Sequence, residues 1–238
     1  MCEAGYQRLN KIDGEEVSHQ VQYTRRTYGG VQCEYDVHWE LVNPQAFANL
    51  VSFDAIEAQS MAVPRLVEHA RAPSYLHSLF VACIHRAAHH YGSDDLIWLY
   101  DIHLLIERLS TDEWNAFAEL AMRTRTRRVC LSGLQGATVF GGTVPDRIRA
   151  MLSEGDDEAS AVFVEASIRM IDVELSNLRM LPSWRRRVAF VRQHLFPRAS
   201  YMLGAYRVHH RAWLPVLYAH RLVRGAVRWV RVLRPPIE

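Results

Sequence analysis

Cysteine is scarce in this sequence, and long apolar runs are missing. The 238 residues contain 4 cysteines, which lie far apart and form no CxxC pair. Neither a zinc ribbon nor a disulfide scaffold is therefore predicted, and reduced thiols in a cytoplasmic protein are the simplest expectation. No apolar run approaches the ~18 residues of a membrane-spanning helix. The opening stretch MCEAGYQRLNKIDGEE carries no basic-then-apolar secretion signal.

Several common catalytic motifs are also absent. The sequence has no GxSxG elbow, no GxxxxGK(S/T) phosphate loop and no GxGxxG after a predicted strand. These absences argue against an α/β-hydrolase, a P-loop enzyme and a dinucleotide-binding fold. Tyrosines occur beside arginines near the N-terminus, but no RNP-like signature accompanies them.

Lysine is nearly absent from the sequence. Lys11 is the only one, and arginine supplies the other basic charges. The net charge of +2 hides an asymmetry: residues 1–120 hold 8 basic and 17 acidic side chains, and residues 121–238 hold 20 and 9. From Leu181 onward there are 12 arginines and one acidic side chain, Glu238. Such a region can attract a polyanion, a nucleotide or an acidic membrane surface. A solvated helical face would have the same composition.

The first 41 residues show the alternation of β-strands. Apolar and polar residues alternate over Gly29–Leu41 and over Val17–Tyr23, which predicts a hairpin that turns at Gly29-Gly30. A shorter strand is predicted before Asp13-Gly14. After Leu41 the apolar period becomes helical.

The rest of the chain reads as helices. They are predicted over Asn43–Phe53, Pro73–Tyr91, from Ser93, from Ser110 with a Ser110/Glu113 capping box, and over VCLSGLQGATVFGG, VPDRIRAMLSEG, ASAVFVEASIRMIDVELSNLRML and two arginine-striped segments. The predicted fold class is α+β, with a small antiparallel β portion followed by a larger all-helical body. The predicted division places the β region at 1–60 and the helical domain at 61–238.

The polar face of the strand Gly29–Leu41 is the first candidate site. Side chains two apart on a strand share a face about 6–7 Å apart, so Glu34, Asp36 and His38 point the same way. Carboxylates on one face suit Mg²⁺, which takes oxygen ligands and leaves positions for phosphate oxygens. A solvated sheet face gives the same alternation, so spacing alone leaves both interpretations open.

Histidines on the helix Pro73–Tyr91 are the second candidate site. His85 and His89 lie four residues apart on one face, and His90 is expected to turn away from them. A zinc protease would need a glutamate where Arg86 stands. A zinc site shared with Asp101 and His103 across a helical hairpin is the alternative, but capping, pairing with Asp101 or a buried polar contact explains the same histidines, and zinc is not expected.

These two segments together resemble a known pattern. YDVHWEL followed by LFVACIHRAAHHYGSDDLIWLYDIHLL resembles the uncharacterised bacterial nucleotidyltransferase family of the polymerase-β-like nucleotidyltransferase superfamily. The pattern joins an Asp-x-His-Trp strand to a helical pair with spaced histidines and a Trp-Leu-x-Asp segment. Its members in this sequence are Asp36, His38, Trp39, His85, His89, Trp98, Leu99 and Asp101. The resemblance is expected to run from about Gly5 to the arginine-rich end.

The resemblance implies a reaction and roles for these residues. Superfamily enzymes transfer an NMP from an NTP to an acceptor hydroxyl, and three carboxylates hold two divalent ions, Mg²⁺ or Mn²⁺. Asp36 matches the later-strand carboxylate and is the implied metal ligand, and His38 is implied to orient it or contact a phosphate. The implied acceptor-side or structural residues are His85, His89, Trp98 and Asp101. The acceptor stays open among protein, sugar and nucleic acid.

The sequence departs from the family pattern at the catalytic pair. Gly29-Gly30 lies too close to Glu34 and Asp36 to be the Gly-Gly/Ser turn that precedes two carboxylates. The chain is therefore expected to be weak or inactive alone, as a truncation, a misassigned start or a product that has lost catalysis. A missing strand would expose a sheet edge, so self-association or poor solubility is expected.

The alternative function is a non-catalytic interaction module. It would keep the fold and bind a polyanion or a protein partner through its basic C-terminal face. The candidate residues are Arg185, Arg186, Arg187 and the arginines within Arg221–Arg234.

Overall fold

The computed structural model describes residues 4–9, 19–27, 29–154, 158–165 and 169–233. The chain divides into two compact units, one made of Met1–Trp39 with Asn177–Glu238 and the other of Glu40–Ser176. The division into 1–60 and 61–238 stays a prediction.

An antiparallel sheet lies in the first unit. In the described residues its strands follow the order β1 (Gln7–Arg8), β2 (Gln20–Arg26) and β3 (Gln32–His38). β2 and β3 pair along the full length of both strands, and Gly30 adopts a φ of 77° in the turn between them, where glycine is unstrained. The hairpin predicted at Gly29-Gly30 is confirmed. Val17 and Asp13-Gly14 lie outside the described residues.

The apolar face of the sheet is held by aromatic contacts. Tyr6 packs edge-to-face on Tyr35 with ring centroids 5.1 Å apart, and the Arg25 guanidinium lies 4.8 Å from the Tyr6 ring centroid. Tyr35 and Val37 are nevertheless exposed. Within the described residues β3 pairs with β2 alone, so no described strand pairs with its outer edge.

The second unit is mainly helical. Its elements are a 3₁₀ turn at Gln45–Phe47, α1 (Phe53–Ala58), the two-residue strands β4 (Met61–Ala62) and β5 (Arg71–Ala72), α2 (Tyr75–His90), α3 (Leu96–Ile106), α4 (Thr111–Arg123), α5 (Arg127–Ala137), a 3₁₀ turn at Thr138–Phe140, α6 (Asp146–Ser153) and a 3₁₀ segment at Ala159–Val164. The capping box that predicts the start of α4 is confirmed, because Ser110 and Glu113 cap each other's backbone.

The chain after Arg169 is helical again. It forms α7 (Met170–Met180), α8 (Trp184–Leu195), α9 (Ala199–Ala205) and α10 (Leu214–Leu233). Phe190, Met202 and Leu217 are buried, and the Tyr218 hydroxyl donates to the Pro197 carbonyl at 2.6 Å. Helices and a small antiparallel sheet in separate stretches of the chain make the fold α+β, as predicted. No helix in the described stretches is long and apolar enough to cross a bilayer.

Two predicted helices differ in the structure. The Asn43–Phe53 helix is wrong: a single 3₁₀ turn follows Pro44, and α1 starts only at Phe53. α3 starts after Asp95 rather than at Ser93, because the Ser93 hydroxyl donates to the Asp95 carboxylate at 3.0 Å instead of capping the helix.

The long helix predicted from Ala159 is interrupted. Ala159–Val164 is 3₁₀ and the α-helix begins at Met170. Tertiary contacts hold the 3₁₀ segment, since Phe163 packs on Phe47 with centroids 4.8 Å apart and the Ser160 hydroxyl donates to the Arg125 carbonyl at 2.8 Å.

A buried arginine joins three parts of the second unit. The Arg86 side chain, on α2, is only 3% exposed. Its guanidinium donates to the carbonyls of Gly92 and Ser93 in the α2–α3 turn and to the Ser132 hydroxyl on α5 at 3.1 Å. It also pairs with Asp94 at 3.0 Å. Burying this charge is tolerable because each contact satisfies a donor that water no longer reaches.

Glycines on α5 allow α2 and α3 to approach closely. A Cβ at Gly133 would lie 2.9 Å from the Cys83 sulfur on α2 and 3.2 Å from the Ile102 side chain on α3. A Cβ at Gly136 would lie 2.6 Å from the Leu99 side chain. Gly133 and Gly136 are thus the positions at which α5 contacts α2 and α3.

The buried cysteines of this core are reduced thiols. Cys83 and Cys130 are both free and buried, and Cys33 of the sheet is free as well. Burial raises the pKa of the Cys130 thiol well above its usual value, which keeps the group neutral.

Replacing Arg86 tests its role in joining these elements. We expect Arg86→Met to lower the free energy of unfolding by about 2–4 kcal/mol, because two partly buried carbonyls and a hydroxyl lose the buried guanidinium that donates to them. Urea denaturation followed by circular dichroism measures the change. Asp94→Asn is the matched control and should cost little, since the Asp94 side chain is 88% exposed. Equal losses in both variants would show that the ion pair, rather than the buried network, matters.

Replacing Gly133 tests the close approach of the helices. In an isolated helix, alanine is more stable than glycine by up to about 1 kcal/mol. We nevertheless expect Gly133→Ala to lower the free energy of unfolding by about 1–3 kcal/mol, because the core has no room for the added methyl group. Gly225→Ala on α10 is the control, because a Cβ there meets nothing within 4 Å. Thermal melts should shift in opposite directions. A stabilised Gly133→Ala protein would contradict the packing.

Candidate functional site

The polar face of the β2–β3 hairpin carries the candidate carboxylates. Antiparallel pairing places Gln22 opposite Asp36 and Thr24 opposite Glu34. Glu34, Asp36 and His38 share the exposed face of β3, as the two-residue alternation predicts.

The two carboxylates on this face have different surroundings. Each oxygen of Glu34 accepts a hydrogen bond from a glutamine amide, from Gln32 at 2.6 Å and from Gln22 at 3.2 Å. Among the described residues, no hydrogen bond or ion pair reaches the Asp36 carboxylate. Asp36 is therefore the carboxylate that an incoming cation meets without first displacing an amide.

This face does not by itself fit a pair of divalent ions. Mg²⁺ takes octahedral oxygen coordination, and two ions need several carboxylates that converge. Neighbours along one strand stand side by side instead. Within the ranges that the structure describes, no group of three His, Cys, Asp or Glu side chains is placed to hold a metal ion.

The histidines at the end of α2 form a cluster of stacked rings with Trp98 of α3. His85 stacks on His89 with centroids 4.8 Å apart and lies 5.3 Å from Trp98. His90 stacks on Trp98 at 4.2 Å and lies 5.3 Å from His85. The expectation that His90 turns away is wrong, because Trp98 of the next helix draws its ring into the cluster.

Asp101 of α3 makes no ring contact or ion pair with this cluster in the part of the chain that the structure describes. It is exposed on α3, whereas His103, two residues on, faces Tyr100 and Phe140 with centroids 5.9 Å and 5.6 Å away. The structure thus brings His85, His89 and Trp98 together, and it places Asp101 on the solvent side of α3.

Residues 1–141 match the model of a protein family described as an uncharacterised nucleotidyltransferase. The chain belongs to this family. No curated protein and no solved structure matches the chain.

The family match has a clear extent along the chain. It includes the β1–β3 sheet with Asp36 and His38, and α2 and α3 with the ring cluster, and it ends at Gly141. The resemblance inferred from the Asp-x-His-Trp strand and the histidine helices is confirmed. Its expected extension to the arginine-rich end is not matched, because α6–α10 lie beyond residue 141.

The arginines proposed to bind a polyanion lie on α8. Arg185, Arg186 and Arg187 are all exposed. Arg187 also donates to the carbonyls of Leu181 at 3.1 Å and Arg179 at 3.2 Å, so it supports the start of the helix as well. Arg234 lies outside the described residues.

Sequence reasoning missed the residues that modify this site. The amides of Gln22 and Gln32 donate hydrogen bonds to the Glu34 carboxylate. The alternation on β2 and β3 places both glutamines on the same face as Glu34, so the sequence pattern could have predicted these contacts. The stacking of His90 on Trp98 carries no local signal, because it depends on the angle between two helices.

His77 provides a pH test of a histidine with a structural role. This side chain is buried in the first turn of α2, its Nδ1 lies 3.2 Å from the Ser74 hydroxyl, and burial lowers its pKa. The unfolded chain, with a pKa near the usual ~6.5, binds the proton more tightly. The stability that His77 contributes is therefore present above about pH 6.5 and lost as the pH falls through the folded value.

We expect the melting temperature to fall less between pH 7 and pH 5 in His77→Gln than in the wild type. Thermal melts at both pH values measure the difference. His69→Gln, which changes an exposed histidine of the same unit, should keep the wild-type pH dependence. Parallel curves for His77→Gln and wild type would contradict the role of burial.

Proposed function

We propose that the protein serves nucleotidyl transfer, in which an NMP moves from an NTP to an acceptor hydroxyl with Mg²⁺ or Mn²⁺ present. In this reaction the hydroxyl oxygen bonds to the α-phosphorus while the bond to the pyrophosphate oxygen breaks. Pyrophosphate leaves with the electron pair and the hydroxyl proton is lost to a base. Membership of the nucleotidyltransferase family supports the reaction class.

One observation supports Asp36 as the carboxylate of this reaction. On the polar face of β3, amides engage both oxygens of Glu34, and no amide among the described residues engages the Asp36 carboxylate. An exposed carboxylate without a partner is available to a hard cation. His38 lies on the same face two residues further on, from where it can orient Asp36 or contact a phosphate oxygen.

We also propose that the described chain is a weak catalyst alone. A single open carboxylate does not hold two divalent ions in line with a phosphate. The described residues supply no converging set beside Asp36. The outer edge of β3, with which no described strand pairs, supports a further expectation, self-association through this edge, because an unpaired strand offers its backbone groups to another strand.

The helical pair is given different roles in this proposal. His85, His89 and Trp98 are assigned a structural role, since their rings pack on one another. Asp101 is the acceptor-side candidate, because its carboxylate is exposed on α3. The acceptor in this proposal is a hydroxyl of a protein, a sugar or a nucleic acid.

Transfer of labelled NMP from each NTP, with Mg²⁺ or Mn²⁺, tests the role of Asp36. We expect transfer to be slow in the wild type and to fall at least about tenfold in Asp36→Asn, because the cation loses a charged ligand. Glu34→Gln is the matched control on the same face and should keep most of the wild-type rate. A rapid wild-type reaction would contradict the weak-catalyst proposal, and equal rates in Asp36→Asn and wild type would contradict the role of Asp36.

The second candidate function is a non-catalytic interaction module. The observation that favours it is the exposed basic surface of α8 with Arg185, Arg186 and Arg187, which lies beyond the family match. A protein that keeps this surface and shows no transfer with any NTP would favour the module.

A further inference from the structure

α8 presents an apolar stripe to solvent. Four side chains form it, and their exposed fractions are 70% for Trp184, 56% for Val188, 41% for Val191 and 41% for Leu195. At 3.6 residues per turn these positions fall within about 60° of the helix circumference. They therefore make one continuous line along the whole of α8.

The opposite side of α8 is its packed side. Phe190 lies roughly opposite Val188 and Leu195 on the helix, and it is buried with its ring 4.4 Å from that of His194. The Arg221 side chain of α10 donates to the His194 carbonyl at 2.8 Å. The burial of Phe190 and the hydrogen bond from α10 turn this side of α8 inward, so that the apolar stripe faces outward.

Arginines flank the stripe on both sides. By the same helical geometry Arg187 lies on one side, and Arg185 and Arg192 lie on the other. All three are exposed, and the Arg185 guanidinium lies 5.8 Å from the Trp184 ring centroid. The surface thus consists of an apolar centre with positive charge along both borders.

α10 repeats the pattern close by in sequence. Val216 and Val223 are seven residues apart, hence two turns along one face, and both are exposed. Trp213, just before α10, is exposed as well. The first unit therefore displays tryptophan and valine on α8, and again on α10 and the turn that precedes it.

We propose that α8 binds the surface of an anionic lipid bilayer, with its apolar stripe in the headgroup–acyl boundary and its arginines at the lipid phosphates. A helix with an apolar stripe, a basic border and a tryptophan is the form that lies in a membrane interface. The charge complementarity is specific, because α8 and α10 contain no acidic side chain. This inference does not depend on nucleotidyl transfer.

The position of the stripe favours lipid over nucleic acid. A nucleic-acid surface would place arginines at the centre of contact, toward the phosphates. Here the centre is apolar and the arginines lie at its borders. An anionic bilayer is the surface that matches both the centre and the borders.

Co-sedimentation with lipid vesicles tests the proposal. We expect the full chain to bind vesicles of phosphatidylcholine with about one-third phosphatidylglycerol and to bind pure phosphatidylcholine far less, since each arginine near an anionic surface contributes about fivefold in partitioning. The stripe variant Trp184→Ser/Val188→Ser/Val191→Ser should lose at least about tenfold. Arg185→Gln/Arg192→Gln should lose about 25-fold, which is two such factors.

A matched triple variant controls for lost apolar surface. Phe53→Ser/Leu66→Ser/Val67→Ser removes one aromatic and two aliphatic side chains that are also exposed, in the other unit, and should bind as the wild type does. Circular dichroism melts should show that all variants fold.

Three outcomes would overturn the proposal. They are wild-type vesicle binding by the stripe variant, equal binding to neutral and anionic vesicles, and binding to DNA or to an acidic protein with none to vesicles. Asp36→Asn should bind vesicles normally, so a failure of the transfer reaction and a failure of lipid binding are separable.

Discussion

The buried guanidinium of Arg86 is the interaction on which the helical unit depends. A charge that is 3% exposed is tolerable only where fixed acceptors replace water. Carbonyls of the α2–α3 turn and a hydroxyl on α5 provide them. The arginine therefore fixes the turn between α2 and α3 and anchors both helices to α5.

The arrangement of the helical residues that carry the family resemblance follows from this anchoring. With the turn fixed, Trp98 of α3 comes against His85 and His90 of α2. The glycines of α5 then determine how closely α2 and α3 can approach α5, since side chains from both helices occupy the space of the missing Cβ atoms. The ring cluster is thus a consequence of packing, which explains why its histidines do not converge on a metal.

The proposed catalytic carboxylate and the proposed binding surface lie in separate stretches of the chain. The family match ends at residue 141 and contains the exposed Asp36, while the arginine-rich helices follow it. The charge asymmetry of the sequence has the same division, with acidic side chains in excess before residue 120 and basic ones after it. The family match and the basic, apolar-striped surface therefore belong to different parts of one protein.

The sequence by itself determined the hairpin at Gly29-Gly30, the capping box of α4, the α+β class and the family, because each rests on neighbours a few residues apart or on local order. Tertiary structure decided what these patterns mean. Tertiary contacts make the start of the helix predicted from Ala159 a 3₁₀ segment. They also place the start of α3 later than Ser93 and bring the His90 ring onto Trp98. Tertiary structure also gave Arg86 a partner 46 residues away on α5. No local period encodes such contacts, because they depend on how whole helices pack and on which buried polar groups must find partners once water is excluded.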